Sequence, residues 1–244
     1  EPVRLTTGNG VFLGPTWSPG GDREVALRGV ARSYRESASP AAALGAGDEL
    51  VWVPAGDGAS DAGASEVNLV APSDGRSAPH FVNDRPERIY LYRSSGQRLV
   101  SVRWDGTDEK EHVRVRGATP PGFSSPLSPS VILMAPEGDQ ALALIQHHLY
   151  TVTVPVVGGE VPEISVADPE GAAFPARKLT EVGAEFPAWG ADGRAVHWSL
   201  GNAHFVYDLD AARAYEDSVE AAAEAEAAEG ADEEEGDAAG PDEA

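Results

Sequence analysis

Four times along the chain a large apolar residue meets a turn-forming cluster and then an apolar strand, and this repetition constrains the fold more than any other feature. The units open at Trp17 in "TWSPGGD", Phe81 in "HFVNDRP", Met134 in "LMAPEGD" and Trp189 in "PAWGADG". Their openers stand 64, 53 and 55 residues apart. Each is followed by a strand-like run, "EVALRGV", "RIYLY", "ALALIQ" or "AVHWS". A second run, "RLVSVRW", "HLYTVTV" or "HFVYDL", follows in three of the four. A four-stranded sheet with its loops needs roughly 40 to 50 residues, so the spacings suit propeller blades carrying insertions. On pattern alone, a β-sandwich or barrel with Gly and Asp in its turns fits as well.

The clearest local stretch is "RIYLYRSSGQRLVSVRWDGTDEKEHVRVRG". Strands over 88–92, 98–104 and 112–116, joined by Gly-containing turns, predict an antiparallel meander. Helix signals are nearly absent before residue 210, so the chain is expected to be all-β. "ESASPAAALGAG" (36–47) and "PAGDGASDAGAS" (54–65) are small and polar, and are expected to be mobile surface loops. "GATPPGFSSPLSPS" (117–130) reads as a crossover between units.

The end of the chain has a different character. "AARAYEDSVEAAAEAEAAE" is rich in Ala and Glu, with Tyr215 and Val219 as its sizeable apolar residues. The expectation is a marginal helix passing into a disordered acidic linker over 211–244, after a β portion over 1–210. Residues 216–244 hold thirteen of the acidic groups and no Lys or Arg, so of the net charge of −22 the rest of the chain carries nine. A body and tail of this charge repel phosphate backbones and anionic lipid surfaces, which argues against nucleic acid as a partner. The absence of cysteine excludes disulfides and thiolate metal sites, and no apolar run is long enough to span a bilayer. The start at Glu1 and the linker-like end suggest a piece of a longer polypeptide. About four blades would not close a ring, so exposed apolar surface is expected.

No residue qualifies as catalytic, cofactor-binding or metal-ligating. His147 and His148 are adjacent, so on a strand they face opposite ways and cannot grip one ion. His197 and His204 could meet across a hairpin with Asp208 nearby, but a third ligand has no identified source, and packing groups are the preferred reading. There is no His-Glu-x-x-His and no Gly-x-Ser-x-Gly. "GNGVFLG" lacks dinucleotide-loop spacing, "SLGNAH" reads as a hairpin turn, and "DGTDEKE" reads as a charged hairpin tip rather than a calcium loop.

The stretch "EFPAWGADGRAVHWSLGNAHFVYDLDAARAYEDS" resembles the last blade of a TolB-type, WD-like propeller. That family repeats an aromatic, then Ser-Pro-Asp-Gly or a variant, then a strand. Here the pattern stands as Trp17-Ser18-Pro19-Gly20-Gly21, Met134-Ala135-Pro136-Glu137-Gly138 and Trp189-Gly190-Ala191-Asp192-Gly193, with a degenerate copy at Phe81-Val82-Asn83-Asp84. The last blade and its acidic exit resemble bacterial proteins that place such a propeller before a metal-dependent amidohydrolase domain. The resemblance implies a periplasmic or extracellular, non-catalytic segment that scaffolds or gates a hydrolase domain of the same polypeptide. The divalent metal would belong to that domain, whose His-x-His has no counterpart here. Two alternatives stay open: a stand-alone TolB-like module binding envelope proteins or peptides, and the propeller of a prolyl-oligopeptidase-type serine peptidase. The aromatic openers are expected to be buried between blades.

Overall fold

The computed structural model describes residues 4–6, 10–30, 35, 49–55 and 66–237. Within them the chain forms sixteen strands and one long helix, arranged as four sheets in a propeller-like succession of blades. The first sheet is β1 (Val11–Trp17), β2 (Arg23–Gly29), β3 (Glu49–Pro54) and β4 (Asn68–Pro72), in that order. The second is built on β5 (Arg76–His80), β6 (Arg88–Arg93), β7 (Arg98–Arg103) and β8 (Lys110–Arg116). The third runs β9 (Pro129–Met134), β10 (Gln140–Ile145), β11 (His148–Thr153) and then β13 (Ala176–Lys178). The fourth has β14 (Glu185–Trp189), β15 (Ala195–Leu200) and β16 (Ala203–Asp208).

Period-two alternation makes these sheets stack. Ile89 and Leu91 of β6 face the first sheet, where they join Val25, Leu50 and Phe81. Tyr90 and Tyr92, one position out of phase, face the third sheet and join Ile132, Ala143 and Val152. In β10, Ala141 and Ala143 turn to the second sheet, while Leu142 turns to the fourth, against Val196 and Trp198. Strands covered on both faces need apolar residues at every position, which is why "RIYLY" and "ALALI" read as continuous runs. Sheets buried face to face in series, with the first strand β5 in contact with both β1 and β9, give the blade arrangement expected from the repeat.

One segment departs from the meander. After β11 the chain leaves the third sheet, and β12 (Glu163–Ser165) pairs parallel to β8 of the second before β13 returns. Ile164 and Val166 drop into the core shared by these two sheets. The strap is held by Arg114 N–H on the Pro162 carbonyl (2.9 Å) and Val166 N–H on the Arg116 carbonyl (2.9 Å). The blades are therefore not purely antiparallel meanders. A three-residue strand with a single buried isoleucine has too little pattern to be read locally.

The openers lie at the ends of the first strands, at the turn into the second. Gly193 takes φ +69°, and a Cβ there would stand 2.8 Å from the Glu137 carbonyl oxygen of the neighbouring turn, so side chain and conformation both favour glycine. The openers are not uniformly buried, contrary to expectation. Phe81 is buried and stacks on Trp104 at 5.5 Å, but Trp17 is 53% exposed. Trp189 is half-buried, its indole N–H donating to the Leu133 carbonyl at 2.9 Å. β1 and β14 are the first strands of the two outer blades, so one side of each opener lacks a covering sheet among the described residues. Trp189→Ala is accordingly expected to cost about 2 kcal/mol, below the 3–5 typical of a fully enclosed tryptophan, measured as a shift in the urea midpoint.

The helix α1 (Leu209–Asp237) starts from an Asp208 cap, whose Oδ1 accepts the N–H groups of Asp210 (3.0 Å) and Ala211 (2.9 Å). Its anchor is Leu209, buried against Trp198 and Val196, while Tyr215 and Val219 are exposed. An ion pair from Arg177 to Glu216 adds a second tie. The helix runs through 230–237, beyond the stretch read as helical, because Ala and Glu outweigh its two glycines. Residues 238–244, 36–47 and 56–65, expected as acidic linker or loops, lie outside the described residues; Pro54 ends β3 and Ala55 is buried.

Apolar side chains remain uncovered on the outer blades: Trp17, Phe186 (81% exposed), Phe205 and Val206. A surface of this kind favours association. Sedimentation of the chain is expected to show dimers or larger species that Phe186→Asp with Val206→Asp reduces. A monodisperse monomer at high concentration would contradict this.

Candidate functional site

Two concave features share a wall of the second sheet. The first is an apolar hollow of about 420 Å3 where the opener turns of all four blades converge. Trp17 and Pro19 come from the first blade, His80 and Phe81 from the second, Met134 and Pro136 from the third, and Trp189 from the fourth. Aromatic and proline surface dominates, and His80 is the ionisable group that lines it.

His80 is partly exposed by area, yet both ring nitrogens are taken by backbone. Met134 N–H donates to Nε2 at 2.8 Å, so the proton sits on Nδ1 and is donated to the Ala78 carbonyl at 2.8 Å. Protonating Nε2 would set donor against donor. Burial, only partly opposed by the Ala78 bond, holds its pKa down at about 4.

The second feature is a cleft of about 450 Å3 between the second and third blades, closed on one side by the strap. Its lining residue His112 is backed by a buried polar network in β6, β7 and β8. Arg88, with a side chain 4% exposed, donates from Nε to Ser101 Oγ (2.8 Å), from Nη2 to the Ser101 carbonyl (3.0 Å), and from Nη1 to Asp108 Oδ2 (2.8 Å). Ser101 Oγ also meets His112 Nε2 at 2.8 Å. Arginine can only donate, and the hydroxyl of wholly buried Ser101 has no other partner among the described residues, so its proton goes to His112 Nε2. His112 therefore keeps its own proton on Nδ1, and lines the cleft. Its ring stacks on Tyr90 at 4.9 Å, and Tyr90 in turn lies 6.0 Å from His80. Burial first, and then the positive charges of Arg88, Arg85 and Lys110, push the His112 pKa down to about 4. Burial raises Tyr90, against the pull of Arg85 and Arg88.

The Ser101–His112 contact is no nucleophile–base pair. Ser101 is enclosed, its oxygen already accepts from a guanidinium, and no reacting atom can reach it.

The residues singled out in the sequence fall elsewhere. His147 is exposed in the β10–β11 turn and His148 is partly buried at the start of β11. His197 and His204 do meet, with Nδ1 and Nε2 3.3 Å apart and rings stacked at 5.4 Å, but on an outer surface. No group of three or more His, Asp or Glu residues suited to a metal occurs among the described residues. In "DGTDEKE" three of the acids are taken by arginines, Asp108 by Arg88 and Arg103, Glu109 by Arg76 and Arg93, and Glu111 by Arg98, while Asp105 accepts from Thr107. "GATPPGFSSPLSPS" joins β8 to β9 across blades, and "SLGNAH" forms the β15–β16 turn. Nothing in the local pattern announces the Arg88–Ser101–His112 network. Its one signal in the sequence is the polar Ser101 inside "LVSVRW", which register places beside Tyr90.

No family model matches the chain, and no curated protein matches it. Among solved structures it is similar to a 6-phosphogluconolactonase-like protein of Bacteroides uniformis, at 12% identity and a TM-score of 0.42, over 84% of this chain and 54% of that one. A second such protein, from Bacteroides fragilis, gives 12% and 0.43 over 82% and 51%. The dihydro-haem d1 dehydrogenase NirN gives 14% and 0.37 over 85% and 35%. The chain thus spans about half the length of the first two and about a third of the last. At such identities and scores, none of them speaks to its activity. What places this chain among β-propellers is its own succession of four sheets buried face to face.

Proposed function

We propose that this chain is a non-catalytic propeller segment that works by binding, as scaffold or substrate gate for a metal-dependent amidohydrolase domain of the same polypeptide in the periplasm or outside the cell. The observation that carries the binding role is the hollow where four blades present Trp17, Phe81, Met134 and Trp189 with three prolines. An apolar, aromatic mouth suits an extended apolar peptide segment or a loop of a neighbouring domain. Tryptophan fluorescence during titration with short apolar and proline-containing peptides tests it. Trp17→Ala, at an exposed position, is expected to weaken a responding peptide about tenfold or more. Silence across the peptides, or a response that survives the substitution, overturns the role of the hollow.

The hydrolase assignment rests on the resemblance of the last blade and its acidic exit. The gene beyond the codon for Ala244 tests it. A His-x-His with later metal ligands supports it, while Gly-x-Ser-x-Gly favours the peptidase and a stop codon the envelope-binding module.

A further inference from the structure

We propose that the cleft between the second and third blades binds a small zwitterion, most simply a free α-amino acid with an apolar side chain, its carboxylate at Arg85, Lys110 and His112 and its ammonium group at Asp139 and Glu160. Three features of the cleft carry this. One wall gathers donors. The tautomer imposed by Arg88 and Ser101 leaves the protonated Nδ1 of His112 as its one ring nitrogen free for a ligand, beside the cations Arg85 and Lys110. Because the network is buried and closed at Asp108, that donor is fixed before any ligand arrives, which lowers the ordering cost of binding.

The third blade and the strap add carboxylates to the same cleft. Asp139 contributes from the β9–β10 turn and Glu160 from the strap, and no salt bridge among the described residues engages either. The other acids nearby are spoken for. Glu111 pairs with Arg98 and, at 3.6 Å, with Arg114. Asp84 stands 3.9 Å from Arg85, a loose contact that a ligand carboxylate can displace, and Asp108 holds Lys110 at 3.8 Å. A simple anion would meet Asp139 and Glu160, and a simple amine would meet Arg85 and Lys110. A ligand with both charges satisfies both sets of groups.

The third feature is apolar. Val156, 92% exposed, and Val157 come from the strap, and the buried Val82 and Val154 line the same cleft. A strap that leaves valines uncovered at a cleft mouth offers contact for a branched or aromatic side chain. The volume of about 450 Å3 accommodates such a molecule.

The test titrates the whole chain with L-leucine and L-phenylalanine, and in parallel with isovalerate and isopentylamine, following amide shifts by NMR. The expected result is saturable shifts in the strap and in β8 for an amino acid, with at least about tenfold weaker response to the acid or the amine alone. Arg85→Met and Asp139→Asn, both at exposed positions that should not unfold the chain, are each expected to weaken binding about tenfold. His112→Gln, which keeps a donor, should retain more affinity than His112→Phe. Long-range 15N–1H correlation should show His112 protonated on Nδ1. No amino-acid binding, equal binding of isovalerate, affinity untouched by Arg85→Met, or an Nε2-protonated His112 overturns the proposal. These outcomes are independent of the peptide titration of the hollow, because neither Trp17 nor Trp189 lines the cleft.

Discussion

Acidification from pH 7 to pH 4 is expected to destabilise the chain by roughly 2–3 kcal/mol for each of His80 and His112. Both histidines are held neutral in the fold with pKa values of about 4, against the ordinary 6.5. Between those values the unfolded chain binds the protons that the folded chain refuses, so stability rises with pH there. It is complete above about pH 6.5 and lost as pH falls toward 4. The cause is visible in the bonding. Nε2 of His80 accepts from Met134 N–H and Nε2 of His112 accepts from Ser101, so each proton gained would break a hydrogen bond as well as charge a covered ring. Asp22, Asp105 and Asp108 have pKa values lowered by hydrogen bonds from Ser18, Thr107 and Arg88 respectively. Their contribution is present above pH 3.8 and is lost at lower pH, in an adjoining window. Relief of the net charge of −22 works in the opposite direction. Urea midpoints measured from pH 7.5 to 4.5 give the slope, and His112→Gln and His80→Gln should each remove about half of it. A flat profile, or a slope unchanged in both variants, would contradict the assignment.

Arg88→Met is expected to cost about 3–4 kcal/mol, nearly as much as removing a large core side chain. Methionine matches the length of the stem but supplies no donor. The Ser101 carbonyl and hydroxyl would then sit buried without the guanidinium that both use. Asp108 would suffer less, since it is partly exposed and keeps Arg103 and Lys110. The loss should reach the cleft as well. Without Arg88, Ser101 is free to accept from His112, and the imidazole proton is no longer confined to Nδ1. Thermal melting reads the first effect and the 15N tautomer signal of His112 the second. Arg88→Lys should recover little of either, because one ammonium cannot reproduce the fork that spans Ser101 and Asp108. A variant with wild-type stability would show the network to be ornamental to the fold.

Much of the architecture is legible in the residue pattern. The runs "RIYLY", "RLVSVRW" and "ALALIQ" fall on β6, β7 and β10, whose covered faces keep them largely apolar, and "AVHWS" falls on β15, which alternates because it belongs to an outer blade. Turns are legible at Gly193 and Gly201, where φ is positive. The helix is legible in kind but not in length or anchoring: Leu209 holds it, while Tyr215 does not. The burial of the openers is overestimated by the pattern, since an aromatic before a turn looks the same whether a further blade covers it or not.

Strand positions, turn chemistry and the acidic helix follow from the sequence alone, because each depends on residues within about a dozen positions of one another. The tertiary structure alone decided three things: that β12 crosses to pair with β8, that Trp17 and Trp189 meet at one hollow, and that His112 is aimed by Arg88 through Ser101. Arg88 and His112 are 24 positions apart and join only when three strands lie in register. A ladder register is a property of paired strands, and the direction of a buried proton is a property of every partner around it. Neither is carried by the local pattern that makes a strand.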